Sequence, residues 1–517
     1  MDMKLQFSRR FKITCGTTVL IGLAAHLFAL TNVLKNHDNI IMTGYGAGTA
    51  SGRWFMGWIG DVIQEVWGNY NIPFFNGLLG IFLLAAGAYL GVLIFDIRDY
   101  TLCILWGGLF VAFPAVTSLM FYMYAVPYYA AAILMTMAAV YWTDRYRFGW
   151  IGAIFLLALS LGIYQAYYPL AVGLYVTILI VRSLTGRYSL KEAIRKAFLY
   201  LGILAASMAA YFVVLKLRLN MLKLQLNTYK NIDKMGQIKL SEIPDMISRT
   251  YREFFGIPLD DYYQMSATQI ISWMLIALAV LSIAMILLLL LRGGRKGLRE
   301  RWPAFVFLTL YPAAVNSITL MCYHSKIYTL MIFAGVLVYL LPLLLVSELG
   351  KYSCSKKPLP RFFPWIRLCA CGALGLVLLN YIWQSNGNYI TMYYTDQQMY
   401  YYLNSMVTQV KETDGFNTDL KWAFIGSNVR DPLRDNPWKE TPFWYGGNKK
   451  QLINEYSRKN FFSQILGYNI PWASQEEIQA LAKNETIQAM ATYPNDGSIA
   501  VVGDIVVIKL EEIKQTD

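Results

Sequence analysis

An α-helical polytopic membrane protein with a small α/β domain outside the bilayer is what three features of this 517-residue chain predict. Hydrophobic residues make up 56% of it, charged residues only 15%, and the mean hydropathy of +0.39 excludes a soluble enzyme of this length. Apolar runs of about 20 residues, the length that crosses ~30 Å of hydrocarbon, recur along the chain. After Tyr381 they stop, and mixed polar sequence with Asn, Asp, Gly and Lys takes over.

In chain order the runs fall near 12 to 34, 74 to 96, 100 to 116, 126 to 142, 149 to 165, 167 to 182, 197 to 215, 266 to 291, 303 to 321, 327 to 347 and 365 to 383. Unbroken stretches such as Trp273 to Leu291 are helices, because barrel strands are short and alternating. Lys and Arg then orient the eleven spans, since cations are retained on the cytoplasmic side. Lys4, Arg9, Arg10 and Lys12 precede the first run. Later clusters are Arg145/Arg147, Arg182/Arg187/Lys191/Arg195/Lys196, Arg292/Arg295/Lys296/Arg299/Arg301 and Lys351/Lys356/Lys357/Arg361. With eleven spans all of them share one face, which puts the N-terminus inside a multi-pass cytoplasmic membrane protein. The net charge of +13 is then accounted for by topology and anionic headgroups of the lipid bilayer, and no nucleic-acid partner is expected. The first run reads as a retained helix, without a clear cleavage site.

This topology divides the chain into a transmembrane domain over 1–383 and an extracytoplasmic α/β domain over 384–517. The outward side receives loop one (35–73), short turns at 117 to 125 and 322 to 326, a tight turn at Tyr164 to Pro169, and a long loop over 216–265. In the C-terminal domain, Gln397 to Glu412 reads as a helix continuing the last span and Leu420 to Gly426 as a buried strand. Ser474 begins a helix over Gln475 to Ala482, and 499 to 502 with 505 to 508 form a hairpin turning at Gly503-Asp504. No phosphate loop, triad spacing or metal box occurs there, so acceptor docking or bracing of the membrane part is favoured over catalysis. The six cysteines lie within or beside spans in neither a disulfide nor a zinc pattern, and Cys369-x-Cys371 reads as small membrane-core residues.

Loop one carries the candidate chemistry. Phe55, Ile59, Val62, Ile63, Val66 and Trp67 share one helical face and Asp61, Gln64 and Glu65 the other, the pattern of a helix lying along the membrane interface. That helix would hold Asp38 and Arg53 at the depth of a lipid phosphate. A carboxylate to take a proton from an acceptor hydroxyl, with a cation for a departing phosphate, suits an inverting sugar transfer through an oxocarbenium-like state. Arg53, or His324 and Lys326 in the turn 322 to 326, supplies the cation. Each residue has a plainer reading as well: Asp38 as a helix-end cap, Arg53 as an interfacial anchor, and His324 as a polar residue at a span end. Tyr164 and Gln165, in the turn Tyr164-Gln165-Ala166-Tyr167-Tyr168-Pro169, line a sugar site by stacking and hydrogen bonding or else belong to an aromatic belt.

The first-loop acid followed by Gly52-Arg53-Trp54, the turn 164 to 169, and Tyr493-Pro494-Asn495-Asp496-Gly497-Ser498-Ile499 before the hairpin together resemble the type II Gtr glucosyltransferases. These are membrane enzymes of bacteria and their phages that glucosylate O-antigen. The resemblance implies a GT-C type glycosyltransferase that uses undecaprenyl-phosphate glucose, with an outward active site and an essential first-loop acid. Carried onto this chain, it implies Asp38 as base, Arg53 as its loop-one partner, and Tyr164 and Gln165 as site lining. Many GT-C first loops carry two adjacent acids, whereas Asp38 lies between His37 and Asn39. No cofactor is therefore expected, a divalent metal being the alternative. The expected partners are a polyprenyl-phosphate sugar donor and an envelope glycan acceptor.

Two other classes compete. A transporter or flippase of lipid-linked sugars would favour internal repeats and mid-membrane charges, and neither is visible. A scaffold, or an envelope polymerase or ligase, is the third.

Overall fold

The computed structural model describes residues 8–36, 38–41, 44–68, 72–228, 239–260, 268–291, 301–351, 360–426 and 454–512. Lys4, His37, Arg292, Arg295, Lys296, Arg299, Cys354, Lys356 and Lys357, which entered the readings above, lie outside the described residues. The chain forms two compact units, Met1–Thr31 with Thr43–Asn386, and Asn32–Met42 with Gly387–Asp517.

The first unit is a bundle of apolar helices. α1 (Arg9–Thr31), the amphipathic α2 (Trp54–Trp67) and α3 (Pro73–Ile94) open it. Asp99 caps α4 (Tyr100–Ala112), its carboxylate accepting from the Thr101 and Leu102 amides at 2.9 and 3.2 Å. Pro114 then interrupts the helix, and α5 (Pro114–Met120) leaves α4 at 45°. α6 (Val126–Arg145), α7 (Gly149–Ile163) and α8 (Tyr168–Leu184) follow. A capping box of Ser189 and Glu192 starts α9 (Leu190–Leu222). The remaining helices are α10 (Ile243–Asp260), α11 (Gln269–Leu291), α12 (Pro303–Val315), α13 (Ser317–Met321), α14 (Leu337–Lys351) and α15 (Phe363–Glu412), the last running on into the second unit.

Each of the eleven expected runs contains helix, but the run 327 to 347 opens in extended and 3₁₀ segments before α14, and residues 266 and 267 lie outside the described residues. Eight helices among the described residues are long and apolar enough to cross a membrane, and the bent pair α4 and α5 makes a ninth if counted as one crossing. α7 and α12, with 15 and 13 residues, reach only about 22 and 20 Å. Burial separates centre from perimeter: 89% of the apolar window ending in α14 lies inside the protein, against 28% for α9 and α11. Phe198 and Leu201 of α9 and Val280 and Ile283 of α11 face outward, as a hydrocarbon solvent permits and water does not. α10, inside the long loop read as 216–265, has one apolar face and was not foreseen.

In the second unit, α15 buries Tyr389, Met392, Asp396, Met399, Leu403, Met406 and Val410, spaced alternately by three and four residues along one face. Beyond it come β1 (Lys421–Ile425), α16 (Glu455–Gln464), α17 (Gln475–Ala482), α18 (Glu485–Ala489), β2 (Ile499–Val502) and β3 (Ile505–Lys509). The sheet order is β1-β3-β2, with β1 parallel to β3 (Ala423 opposite Val507) and β2 antiparallel to it. Gly503 turns the hairpin at φ +62°. A capping box of Ser474 and Glu477 starts α17, which packs Leu481 with Ala423, Ile425, Ile487 and Val507. The expected strand, capped helix and hairpin are all present. α16, α18 and the parallel pairing are additions, as is the joining of the first half of loop one to this unit.

Candidate functional site

Loop one is shared between the two units, so its candidate residues are built in two places. In the first unit a 3₁₀ turn, Thr49–Ser51, ends at Gly52 with φ +76°. The Gly52 carbonyl accepts from the Tyr211 hydroxyl of α9 at 3.0 Å, and that hydroxyl accepts from Gln165 Nε2 at 2.8 Å. Gln165 Nε2 also donates to the Ser51 carbonyl at 3.5 Å, and the Asn227 amide donates to the Ala50 carbonyl at 2.8 Å. A Cβ at position 52 would stand 2.5 Å from Gln165 Nε2 and 2.7 Å from the Tyr211 oxygen. Glycine is required there by both the left-handed backbone and the close approach.

This clamp sets the direction of the next residue. Arg53 is half-buried, its guanidinium carbon 4.9 Å from the centroid of the Tyr164 ring and 5.8 Å from that of Tyr129. The two rings stack on each other at 4.5 Å with 9° between planes. Their π faces attract the cation and limit its rotation. α2 starts at the following residue, with Trp54 packed among Leu161, Tyr211 and Leu215. Gly162 admits it: a side chain there would lie 2.7 Å from the Trp54 ring. Farther along α2, Asp61 accepts from the Tyr45 hydroxyl at 2.7 Å, and burial together with that bond pushes the phenol up to about 12.

The structure thus brings Arg53, Tyr164 and Gln165 together. His324 and Lys326 occupy a different turn, strapped to α10 and the residues before it. His324 Nε2 is 3.4 Å from the Glu242 carboxylate, and Tyr323 donates to Asp245 at 2.5 Å. Arg249 pairs with Glu253 at 2.7 Å and reaches the Tyr323 carbonyl at 3.3 Å. Lys326 Nζ lies 5.7 Å from the Tyr328 centroid.

Asp38 belongs to the second unit, in a turn of unusual polarity. Asn36 and Asn39 are both buried. Asn36 Oδ1 accepts from the amides of Asp38 (2.9 Å) and Asn39 (3.0 Å), while Asn39 Oδ1 accepts from the Asn36 amide at 2.7 Å. Asn39 Nδ2 donates to the Leu34 carbonyl at 2.9 Å. From α15, Asp396 Oδ2 accepts from the Lys35 amide at 2.8 Å. Asp38 itself is exposed.

Two adjoining cavities of about 550 and 430 Å³ share Asp144 and Arg145 and are lined by Arg10, Arg182 and Arg187 or by Arg147, Arg195 and Lys196. These belong to the clusters read as cytoplasmic; Asp144 pairs with Arg182, Asp96 with Arg10 and Arg98, and Glu348 with Arg187. No group of three His, Cys, Asp or Glu side chains among the described residues is placed to hold a metal ion.

Sequence reasoning missed Tyr129, Tyr211 and Asp396. The tyrosines carry no local signal, being two aromatics among many in apolar helices. Asp396 does carry one: it is the acid in an otherwise apolar stripe of three-and-four spacing.

Helices of membrane-crossing length, a first loop that sets a guanidinium against aromatic faces, and a small α/β unit define a helical membrane protein. Within that class the family is shown by comparison: the profile of the family Glucosyl transferase GtrII matches residues 27–339, about three-fifths of the chain, and the chain belongs to it. It is accordingly a glycosyltransferase of a glucosyltransferase family. No curated protein and no solved structure matches the chain. The matched stretch includes Asp38, Arg53, Tyr164, Gln165, His324 and Lys326, and it ends before Asp396.

Proposed function

We propose that this enzyme transfers a hexose, glucose, from a polyprenyl-phosphate donor to a cell-envelope polysaccharide, O-antigen, at the outer face of the cytoplasmic membrane. The observation that carries the reading is the Arg53 guanidinium, set by the Gly52 clamp and the Tyr164 face at the start of an amphipathic helix. Its planar fork matches a phosphate ester in a way that a point charge does not.

In the proposed reaction Asp38 takes the proton of an acceptor hydroxyl as that oxygen attacks the anomeric carbon. The bond from that carbon to the donor phosphate breaks, and polyprenyl phosphate departs with the electron pair, its charge met by Arg53. Tyr164 and Gln165 line the sugar position, with His324 and Lys326 as second candidates for the phosphate. The N-terminus and the basic cavities face the cytoplasm, and the C-terminal unit serves the acceptor outside. This GT-C type scheme employs no metal.

The test uses the full chain in liposomes with radiolabelled undecaprenyl-phosphate glucose and O-antigen-bearing lipopolysaccharide. Label in the polysaccharide is the expected result. Label carried across the bilayer without transfer would instead make the protein a flippase.

A further inference from the structure

We propose that Asp396 is the positioning residue for Asp38, holding the backbone of the turn that aims it; the inference rests on the catalytic reading of Asp38 given above. Asp396 is 361 residues away in sequence, yet its Oδ2 takes the Lys35 amide at 2.8 Å, one residue before the asparagine-locked turn begins. The neighbouring asparagines bond main chain as well: Asn36 accepts from two amides, and Asn39 accepts from one amide and donates to one carbonyl. Three buried polar side chains therefore bond the main chain of Leu34, Lys35, Asn36, Asp38 and Asn39, and Asp38 is the exposed residue that this stretch carries.

Stability alone does not account for an acid at this point. Asp396 is 4% exposed and occupies a stripe whose neighbouring positions are Met392 and Met399, so an apolar side chain would pack there at lower cost. Its Oδ1 is buried and makes no hydrogen bond among the described residues. One oxygen accepts from the Lys35 amide and the other is buried without a hydrogen bond among the described residues, an arrangement that disfavours the folded state locally while constraining the turn. Constraint matters most where a general base must meet a proton within hydrogen-bond reach, since small misplacements cost large factors in rate.

Asp396→Leu separates position from stability, because leucine suits the stripe but accepts nothing from Lys35. In the liposome assay with labelled undecaprenyl-phosphate glucose, kcat should fall about 10- to 100-fold with the donor KM within about 2-fold of the parent. The melting temperature should hold or rise, and hydrogen exchange in the peptide covering 34 to 40 should quicken. Asp396→Asn keeps an oxygen for the Lys35 amide and should recover most of the rate. Parent-like kcat in Asp396→Leu, or unchanged exchange in that peptide, overturns the proposal. Should the leucine protein not fold, Asp396→Ser, too short to reach Lys35, is read by the same two outcomes. Asp38→Asn is assayed alongside. If it turns over normally the catalytic reading fails whatever Asp396 does, whereas a dead Asp38→Asn beside a fully active Asp396→Leu overturns the positioning role alone.

Discussion

The two halves of loop one share hydrogen bonds to main chain and differ in what is added to them, buried amide and carboxyl groups in one and ring faces in the other. Residues 34–36, 38 and 39 are pinned by buried amide and carboxyl groups, with Asn36, Asn39 and Asp396 all bonded to main chain. Residues 50–53 are held by hydrogen bonds to main chain from Tyr211, Gln165 and Asn227 together with aromatic surface, Tyr164 and Tyr129 lying against Arg53. Directional hydrogen bonds suit an acid whose approach to a proton must be accurate. Ring faces suit a cation, which their negative π surface attracts. The difference teaches that one loop can be fixed in two places by separate sets of contacts, so the base and the anion-binding group of the proposed reaction should be separable by mutation.

Asp38→Asn is the sharpest way to break the first half. Transfer should fall about 1,000-fold, the scale of a lost general base, with expression and melting unchanged. Near-parental turnover of labelled donor would remove Asp38 from the chemistry. For the second half, Arg53→Lys should lower kcat about 100-fold, because an ammonium cannot offer paired donors to the leaving phosphate. Unchanged kinetics would reassign Arg53 to anchoring at the interface. Gly52→Ala attacks the clamp instead of the charge: its Cβ meets Gln165 and Tyr211 on a backbone at φ +76°. A loss of about 2 kcal/mol in stability and about 10-fold in rate is expected, readable by thermal melting in detergent and by the same transfer assay.

A pH experiment sharpens the comparison, because only the polar half contains a buried acid. Asp396 belongs to the second unit, thirteen residues past Trp383, where the last apolar run ends. Burial pushes its carboxyl up to about 7, against the opposing pull of the Lys35 charge and amide. The folded protein therefore keeps a proton that the unfolded chain releases near 3.8. Stability should decline as pH rises from about 4 to about 7 and then level off. Asp396→Asn should flatten that part of the melting profile; a parent and variant with parallel profiles would contradict the shift. The smallest effect is expected from a chelator, which should leave transfer by the purified protein unchanged; lost activity restored by a divalent cation would show a metal requirement.

Much of this was legible residue by residue. The amphipathic face of α2, the helix begun by Ser474 and the turn at Gly503-Asp504 are local patterns, and local patterns survive in sequence because neighbours along the chain generate them. Gly52-Arg53-Trp54 and Tyr164-Gln165 also stood out, but their association did not. It is made by Tyr211, on a helix that passes both, and nothing near Tyr211 in sequence marks it. Asp396 was visible as an irregularity in a stripe and invisible as a partner of Lys35, since a hydrogen bond across 361 residues has no periodicity to betray it.

The sequence by itself determined that this chain lives in lipid, how its apolar runs alternate with basic clusters, and which family it resembles, because composition, span length and short motifs are properties of contiguous residues. Tertiary structure alone decided that loop one divides between two units, which ring faces receive Arg53, and which buried acid holds the turn of Asp38. Those facts depend on side chains brought together by packing, and packing is a relation among distant residues that no single stretch encodes.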